Sequence, residues 1–503
     1  MAMNKQITRL AVASIVLIGA LIVATTYWQT WAAAGLADRQ DNAIERVAQF
    51  TIDRGKIYAG DGRFLLAANV KKKVNGQTLY FRHYPSGNLA SHVVGYSTES
   101  RSRAGIERSE NDYLTGANGS LSSVTAKTFD QLKGVTVKGN DLLLSLNVRA
   151  QRLAVSQLQG KCGAAVAIEP STGRVLVLAS SPTFNPNAIE KSFSAVERLK
   201  TSACAFAAPL LDRATQGLYP PGSSFKVVTA SAALDSGKFK PDSTFDDPGY
   251  CVEYGKHVSN AGNPDQQGPE SFGTVTLAQG LQHSINSVYC NIGKAIGAGT
   301  ILDYARRFGF YSPPDIELPL DAQSPSGLYN PKTHKLLWPR HPETQVDPGR
   351  LAFGQERLLV TPLQMAMVAA TIANGGVVMR PHVVDEIRAP NGKLVERIGP
   401  HKVRRAISTQ TAQEVNQMMQ SVVTGGTGTS EQIPGIAVAG KTGTAETGVN
   451  GKYDTWFIAF APADAPKVAV AVALENQTGF GATTAGPIAK ALLEAILRSG
   501  SNT

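Results

Sequence analysis

Between Arg9 and Asp38 the chain carries no charge, and Leu10 to Ala24 is almost entirely apolar. Spanning the hydrocarbon of a bilayer takes roughly 20 such residues, so the stretch is long enough. A charge-free segment at the extreme N-terminus is a poor core helix, and it constrains the rest of the chain to begin at a membrane. Lys5 and Arg9 precede it, while Tyr27, Trp28 and Trp31 close it. Positive charge stays on the cytoplasmic side and aromatic rings favour the interface, so the bulk of the chain is expected on the outer face of the cytoplasmic membrane. The expectation is a single-pass signal anchor over residues 10–31 with a cytoplasmic tail at 1–9. Ala32-Ala33-Ala34 also suits a signal peptidase, which leaves a cleaved leader as the alternative.

At 503 residues the chain is several times the length of a typical domain. Hydrophobic residues make up 43% and charged residues 17%, which excludes a disordered chain and permits a large core. Lys and Arg number 49 against 39 Asp and Glu, a net charge of +10, and no basic tract exceeds Lys71-Lys72-Lys73. That is too dispersed to point to nucleic acid; an anionic membrane face or polymer suits it. Cys162, Cys204, Cys251 and Cys290 share no C-x-x-C spacing, and the eight histidines include no H-E-x-x-H, so no zinc, haem or metallopeptidase site is expected. Outside the membrane the cysteines have three possible pairings, of which chain order suggests Cys162 with Cys204 and Cys251 with Cys290. Buried free thiols fit as well.

From about Asp38 to Asn140 the sequence is rich in charge, Gly, Ser and Asn, with strand-like runs at Thr78–Phe81 and Ser91–Tyr96, which predicts a small extended β-rich module. Beyond it Asp141–Leu146 reads as a strand and Val148–Leu158 as a helix. Ala164–Ile168 and Val175–Ala179 flank a Ser-Thr-Gly turn as a hairpin. Residues 224–373 show mainly helical periodicity. Ile436–Ala439, Thr455–Ala461 and Lys467–Leu474 then read as strands, and Ala485–Leu497 as a closing helix. Strands at both ends enclosing helices predict an α+β fold, an antiparallel sheet with helices on both faces.

Pro220-Pro221-Gly222 leads directly into Ser223-Ser224-Phe225-Lys226 and an apolar helix, so Ser223 and Lys226 fall one turn apart. A serine hydroxyl is a weak nucleophile, and a lysine held neutral by burial or by a second cation can take its proton. This S-x-x-K is the only one in the chain, although alone it equally describes a capping serine and a solvated lysine. Ser284-Ile285-Asn286 interrupts the helix-like run Leu277–Ile296. Its hydroxyl could relay a proton and Asn286 could hold a substrate amide, but S-x-N also occurs at Ser86, Ser109 and Ser145. Lys441-Thr442-Gly443-Thr444 continues the strand-like run before it. Lys441 and the hydroxyls could fix a carboxylate, Gly443 would let a peptide backbone approach, and the Thr444 and Ser223 N–H groups could form an oxyanion hole. An edge strand with a protective lysine is the plain alternative.

In chain order these elements read S-x-x-K, S-x-N, K-T-G, a trio that resembles the signature of the penicillin-binding proteins and serine β-lactamases. YPPGSSFKVVTA, EPSTGRVLVLASSPTFNPN, FGQERLLVTPLQMAMVAATIANGG and WFIAFAPADAPKVAVAVALEN are similar to the transpeptidase domain of the high-molecular-weight members, across residues 140–497. RGKIYAGDGRFLLA, RHYPSGNLASHVVGY and Gly105-Ile106-Glu107 resemble the pedestal of class B enzymes, most like the short penicillin-binding protein A type of actinobacteria. The resemblance implies a membrane helix, then a non-catalytic, dimerisation-like pedestal over residues 38–140, a transpeptidase domain over 141–498 and a tail at 499–503. About 100 residues between anchor and Asp141 are too few for the glycan-polymerising domain of class A. The sequence runs out soon after the closing helix, so no C-terminal repeat domain is expected either.

The implied activity is peptidoglycan D,D-transpeptidation without metal, nucleotide or other cofactor. In it Ser223 attacks the carbonyl between the terminal D-alanines of a stem peptide, with Lys226 as base and Ser284 passing a proton to the leaving D-alanine. Lys441 and Thr442 hold the terminal carboxylate, and β-lactams acylate Ser223 by mimicking the donor. A polymerase of the SEDS type and proteins of division or elongation are the implied partners, and nucleic acid is not. Ser224 stands where relatives often have Thr, a side chain without assigned chemistry. A β-lactamase or D,D-carboxypeptidase differs only in using water instead of an acceptor amine. Thr361-Pro362-Leu363-Gln364-Met365-Ala366 and the anchor-plus-pedestal layout disfavour the first. A slowly acylating penicillin sensor would need further spans or a cytoplasmic effector, for which nine residues before the anchor are too few.

Overall fold

The computed structural model describes residues 2–27, 49–60, 62–117, 137–199, 203–204, 206–261, 270–449 and 451–499. The chain starts as one helix, α1 (Ala2–Thr26). Its stretch Arg9–Thr26 is long and apolar enough to cross a membrane and none of it is buried in the protein. Helix α1 already begins at Ala2, so the tail expected at 1–9 is, from Ala2, the first turns of that helix. Trp28, Trp31 and the Ala32-Ala33-Ala34 site lie outside the described residues, as do 118–136 of the expected pedestal and 500–503 of the tail.

The pedestal is built on a short strand, β1 (Ile57–Tyr58), and a long hairpin, β2 (Leu65–Val74) and β3 (Gln77–His83). Asn75 and Gly76 turn the hairpin, both at positive φ, as a two-residue connection demands of right-twisted strands. Of the strand expected at Ser91–Tyr96 only Tyr96 lies in one, the short Tyr96–Ser97; Ser91–Val94 is instead a one-turn helix, α2 (Ser91–Val94). Gly95 ends it at φ 75°, where a Cβ would stand 1.8 Å from the Ala104 carbonyl oxygen. Burial of Val93 and Val94 outweighs their β propensity.

Strand β4 (Asp141–Leu144) pairs in parallel with β1, and α3 (Val148–Gln157) follows, capped by the Asn147 side chain. Strands β5 (Gly163–Ile168) and β6 (Val175–Ser181) form the expected hairpin. The region after it holds α4 (Lys226–Asp235), α5 (Leu277–Gln282), α6 (Asn286–Ile296) and α7 (Pro362–Ala373). Besides these helices it holds two short antiparallel strand pairs that the periodicity did not show, Thr244–Asp247 with Gly273–Thr276 and, between them in sequence, the hairpin Tyr250–Glu253 with Lys256–Ser259. Strands β7 (Val384–Arg388) and β8 (Leu394–Arg397) precede helix α8 (Thr409–Gly425). Then come β9 (Ala439–Glu446), β10 (Tyr453–Ala461), β11 (Val468–Gln477) and α9 (Gly481–Ser499). Of the strand expected at Ile436–Ala439 only Ala439 belongs to β9; Gly435 at positive φ bends the chain before it.

Two sheets organise the molecule. Five antiparallel strands run in the order β9-β10-β11-β5-β6, and a six-stranded sheet runs β8-β7-β4-β1-β2-β3, joining pedestal strands to strands from the transpeptidase-like part. The five-stranded sheet is buried on both faces. Val468, Val470 and Val472 of β11 pack with Leu492 and Leu493 of α9 and with Ala150 and Ala154 of α3. The alternate Ala469, Ala471 and Ala473 join the larger core that contains α7. An antiparallel α+β sheet with helices on both faces is therefore present, with β9 and β6 as its edge strands. Both disulfides follow chain order, Cys162–Cys204 and Cys251–Cys290.

The pedestal is pinned by a buried ion cluster. Glu107 is fully buried and accepts from Arg54 Nε at 2.7 Å and from Arg82 Nε at 2.6 Å. Burial alone would raise its carboxyl pKa, but Arg82 and Arg54 together outweigh that and lower it. Removing the carboxylate would strand two guanidiniums, which typically costs about 3–5 kcal/mol. We predict that Glu107→Gln clearly lowers the thermal unfolding midpoint read by circular dichroism. Since the folded carboxyl pKa is depressed, the cluster's contribution is fully present above the ordinary glutamate pKa and is lost as pH falls from there through the lowered one. An equal midpoint for variant and parent at pH 7 would refute this role.

Candidate active site

The Ser223 turn is shaped by residues on both sides of it. Residues Gly222–Phe225 form a single 3-10 turn that runs into α4 at Lys226, so Ser223 lies just before the α-helix proper. Gly222 has φ 51°, and a Cβ there would stand 2.5 Å from the Thr444 carbonyl oxygen of β9. Across the gap, a Cβ on Gly443 would stand 2.9 Å from the Pro221 oxygen. Two missing side chains thus let the turn lie against the edge strand. Trp456 Nε1 donates to the Pro220 oxygen at 2.9 Å, and Tyr219 Oη donates to Glu475 Oε1 at 2.8 Å, fixing the turn from the sheet side. Ser223 remains partly exposed while Ser224 and Lys226 are fully buried.

Ser284 sits between α5 and α6 at φ 60°, a left-handed conformation uncommon for serine and found preferentially where a side chain must be aimed. Lys226 Nζ donates to the Ser284 carbonyl oxygen at 2.6 Å and to Asn286 Oδ1 at 2.7 Å, and lies 3.3 Å from Ser284 Oγ. From the other side Lys441 Nζ donates to Ser284 Oγ at 2.9 Å and to the Thr442 oxygen at 3.0 Å. One hydroxyl is therefore shared by two buried lysines. The Thr442 hydroxyl meets that of Thr427 at 2.7 Å, and Thr444 Oγ1 accepts from the Gly481 N–H at 3.3 Å. The three motifs lie together: Lys226, Ser284, Asn286, Lys441 and Thr442 form one hydrogen-bonded cluster, and the Ser223 turn packs against β9 at Gly443 and Thr444, although Ser223 Oγ takes no part in these hydrogen bonds.

Burial sets the charges. Desolvation, helped by the nearby Lys441, pushes the Lys226 amine well below its ordinary pKa. Burial pushes Lys441 down to about 7. A neutral amine has two N–H bonds and one lone pair, which matches the two short contacts of Lys226 to carbonyl acceptors and leaves the lone pair to receive a hydroxyl proton. The Tyr289 ring, 5.3 Å from Lys226 Nζ, closes the apolar side.

Several residues of the site were invisible to sequence reasoning. Asp247 is buried and accepts from Asn260 Nδ2 at 3.0 Å and from Ser287 Oγ at 2.5 Å, while the Ser287 N–H donates to Asn260 Oδ1 at 2.9 Å. Asn286 Nδ2 donates to the Ser259 oxygen at 3.0 Å. These contacts hold the start of α6, and so Ser284, against the two short strand pairs. No spacing in the sequence links Asp247 to Ser287. Thr427 lies in the run Gly425-Gly426-Thr427-Gly428, whose glycines were the only available signal.

Lys441 is buried with a lowered pKa, so its ammonium is a liability to the fold. A depressed lysine pKa costs stability below the unfolded value near 10.5, and the cost disappears only as pH rises through that value. We predict that Lys441→Met unfolds at a temperature no lower than the parent at pH 7, and that any advantage shrinks toward pH 10.5. Differential scanning fluorimetry across pH checks this; a variant clearly less stable at pH 7 would contradict it.

Two family descriptions match the chain: "Penicillin binding protein transpeptidase domain" over residues 163–494 and "Penicillin binding protein A dimerisation domain" over residues 54–142. The peptidoglycan D,D-transpeptidase PbpA of Mycobacterium tuberculosis strain H37Rv is 33% identical over 99% of this chain and 99% of its own. Among solved structures, penicillin-binding protein A of M. tuberculosis as a ceftriaxone acyl-enzyme complex is 31% identical with a TM-score of 0.78, covering 90% of this chain and 100% of that one. The D,D-transpeptidase domain of a peptidoglycan glycosyltransferase from Eggerthella lenta is 34% identical with a TM-score of 0.74, over 90% of this chain and 99% of that one. With its three motifs gathered at one edge strand and its full length matched by PbpA, the chain belongs to the penicillin-binding protein transpeptidase family.

Proposed function

We propose that the chain is a peptidoglycan D,D-transpeptidase that cross-links stem peptides through a Ser223 acyl-enzyme and is acylated at the same residue by penicillin and other β-lactams. The observation that carries this reading is the Ser284 hydroxyl set between the buried amines of Lys226 and Lys441. The M. tuberculosis relative solved as a ceftriaxone acyl-enzyme supports the β-lactam chemistry.

The reaction follows from the donors and acceptors. Lys226 takes the Ser223 proton as Ser223 Oγ bonds to the carbonyl carbon between the terminal D-alanines. The Ser223 and Thr444 N–H groups face the developing oxyanion. The proton passes from Lys226 through the Ser284 hydroxyl to the departing amine as the C–N bond breaks, releasing D-alanine and leaving an ester on Ser223. A neighbouring stem peptide's amine attacks the ester by the same path in reverse. Its proton returns to Ser223 as the new amide forms. Asn286 holds the substrate amide, and Lys441, Thr442 and Thr444 hold the carboxylate along β9. A side chain at Gly443 would meet Trp456 Cβ, the Pro221 oxygen and Ser224 Cβ, so this glycine seats the Ser223 turn against β9 rather than leaving room for the substrate backbone.

Around this centre, residues 38–140 act as a non-catalytic, dimerisation-like pedestal and 141–498 as the catalytic unit, tethered by α1 with the catalytic part on the outer face of the cytoplasmic membrane. A SEDS-type polymerase and division or elongation proteins are the partners that the anchor and pedestal would meet. Recovery of no such polymerase with the full-length chain from cross-linked membranes would count against that partnership.

Two measurements test the chemistry on the full-length chain in detergent. Intact mass after benzylpenicillin should show a stable adduct that is absent from Ser223→Ala. Rapid drug hydrolysis without an adduct would mark a β-lactamase, and neither would sink the acyl-enzyme reading. The second-order acylation rate should rise with pH as Lys226 loses its proton and fall above about 7 as Lys441 loses its charge. Lys441→Arg should move only the falling limb, to higher pH; a falling limb unmoved by that change would mean that Lys441 does not hold the carboxylate as a cation.

A further inference from the structure

A second cleft, of about 790 Å³, opens where the pedestal meets α3 and the end of β6. None of the eight motif residues lines it. Its volume falls within the ~300–1,000 Å³ of small-molecule sites. Phe64 and Leu89 from the pedestal and Val155 from α3 supply apolar wall, while Ser86, Asn88 and Gln159 supply hydrogen-bonding groups. Among the described residues that line it, Arg152 and Lys161 are the only charged ones, and neither has an acidic partner among the described residues. The Arg152 guanidinium lies 5.5 Å over the Phe64 ring.

The far wall leads toward the nucleophile. Ser180 Oγ donates to Asp212 Oδ1 at 2.5 Å and accepts from the Ala214 N–H at 3.0 Å. Between them Arg213 reaches Glu475 at 2.9 Å, the carboxylate that also receives Tyr219 Oη just before the Ser223 turn. The Cys162–Cys204 disulfide, next to Lys161, anchors the segment that runs to Arg213.

Two cations without an acidic partner among the described residues, in one lining with hydroxyls, amides and apolar wall, fit a ligand with carboxylates, peptide amides and sugar or methyl faces. A nucleotide fits less well: the lining has no glycine-rich phosphate loop, and its one aromatic ring is already covered by Arg152. We propose that this cleft is a second binding site for an anionic glycopeptide, an uncross-linked peptidoglycan stem held by its carboxylates at Arg152 and Lys161. The identity of the ligand rests on the transpeptidase reading; the carboxylate preference of the cleft does not.

The test uses the full-length chain in detergent, first acylated to completion with benzylpenicillin to close the catalytic cleft. A photoreactive muramyl pentapeptide and its fully amidated counterpart are the probes, with labelled peptides mapped by mass. The expected result is labelling within 152–161 and 180–183 that survives acylation. It should weaken about tenfold with the amidated probe and likewise in the double variant Arg152→Glu, Lys161→Glu, as loss of charge-assisted contacts implies. That variant should still take benzylpenicillin at the parent rate, which shows that it is folded; if it does not, the Arg152→Gln single variant and the amidated probe decide. Labelling removed by benzylpenicillin, or cleft labelling equally strong with the amidated probe, or no labelling, overturns the proposal. A parent chain that benzylpenicillin cannot acylate would sink the transpeptidase reading instead, and the two probes compared on the unacylated chain would still report the cleft.

Discussion

The sharing of one hydroxyl by two buried lysines is the interaction around which the site is arranged. Lys226 arrives on α4, Ser284 on the α5–α6 connection and Lys441 on β9, so three separate elements converge on a single oxygen. Two amines so close in an apolar setting cannot both stay fully charged, and lowering at least one pKa is the physical outcome. Burial of the two amines in one cluster is what lowers both pKa values.

Holding that cluster in place falls to the five-stranded sheet. Its strands are buried on both faces, by α3 and α9 on one side and by the core containing α7 on the other. A sheet so constrained cannot slip register without exposing an entire apolar face, so the position of Lys441 along β9 is fixed by burial far from the site. Strand β9 is one edge of that sheet, and the Ser223 turn lies against it through Gly222 and Gly443.

Strands β1, β4 and β7 share one sheet, so main-chain hydrogen bonds join the stretch matched by the dimerisation description to the stretch matched by the transpeptidase description. The Arg54–Glu107–Arg82 cluster stiffens that junction from the pedestal side, with Asn69 holding both the Arg54 oxygen and Arg82 Nη1.

Much was legible in the sequence. The apolar N-terminal helix, the β5–β6 hairpin, strands β10 and β11 and the closing helix follow from local pattern, because a hydrophobic period acts within a few residues, and the family follows from the resemblance that the three motifs carry. The strand misread at Ser91–Val94 and the missed strand pairs around Asp247 and Ser259 share one cause: tertiary burial overrode local propensity. What the sequence by itself determined is which side chains could do chemistry and in what order they come. Only the tertiary structure decided that Ser284 stands between Lys226 and Lys441, that Asp247 supports it through Ser287 and Asn260, and that burial lowers both lysine pKa values. Desolvation and long-range hydrogen bonds depend on what surrounds a residue in space, and no spacing along the chain encodes that.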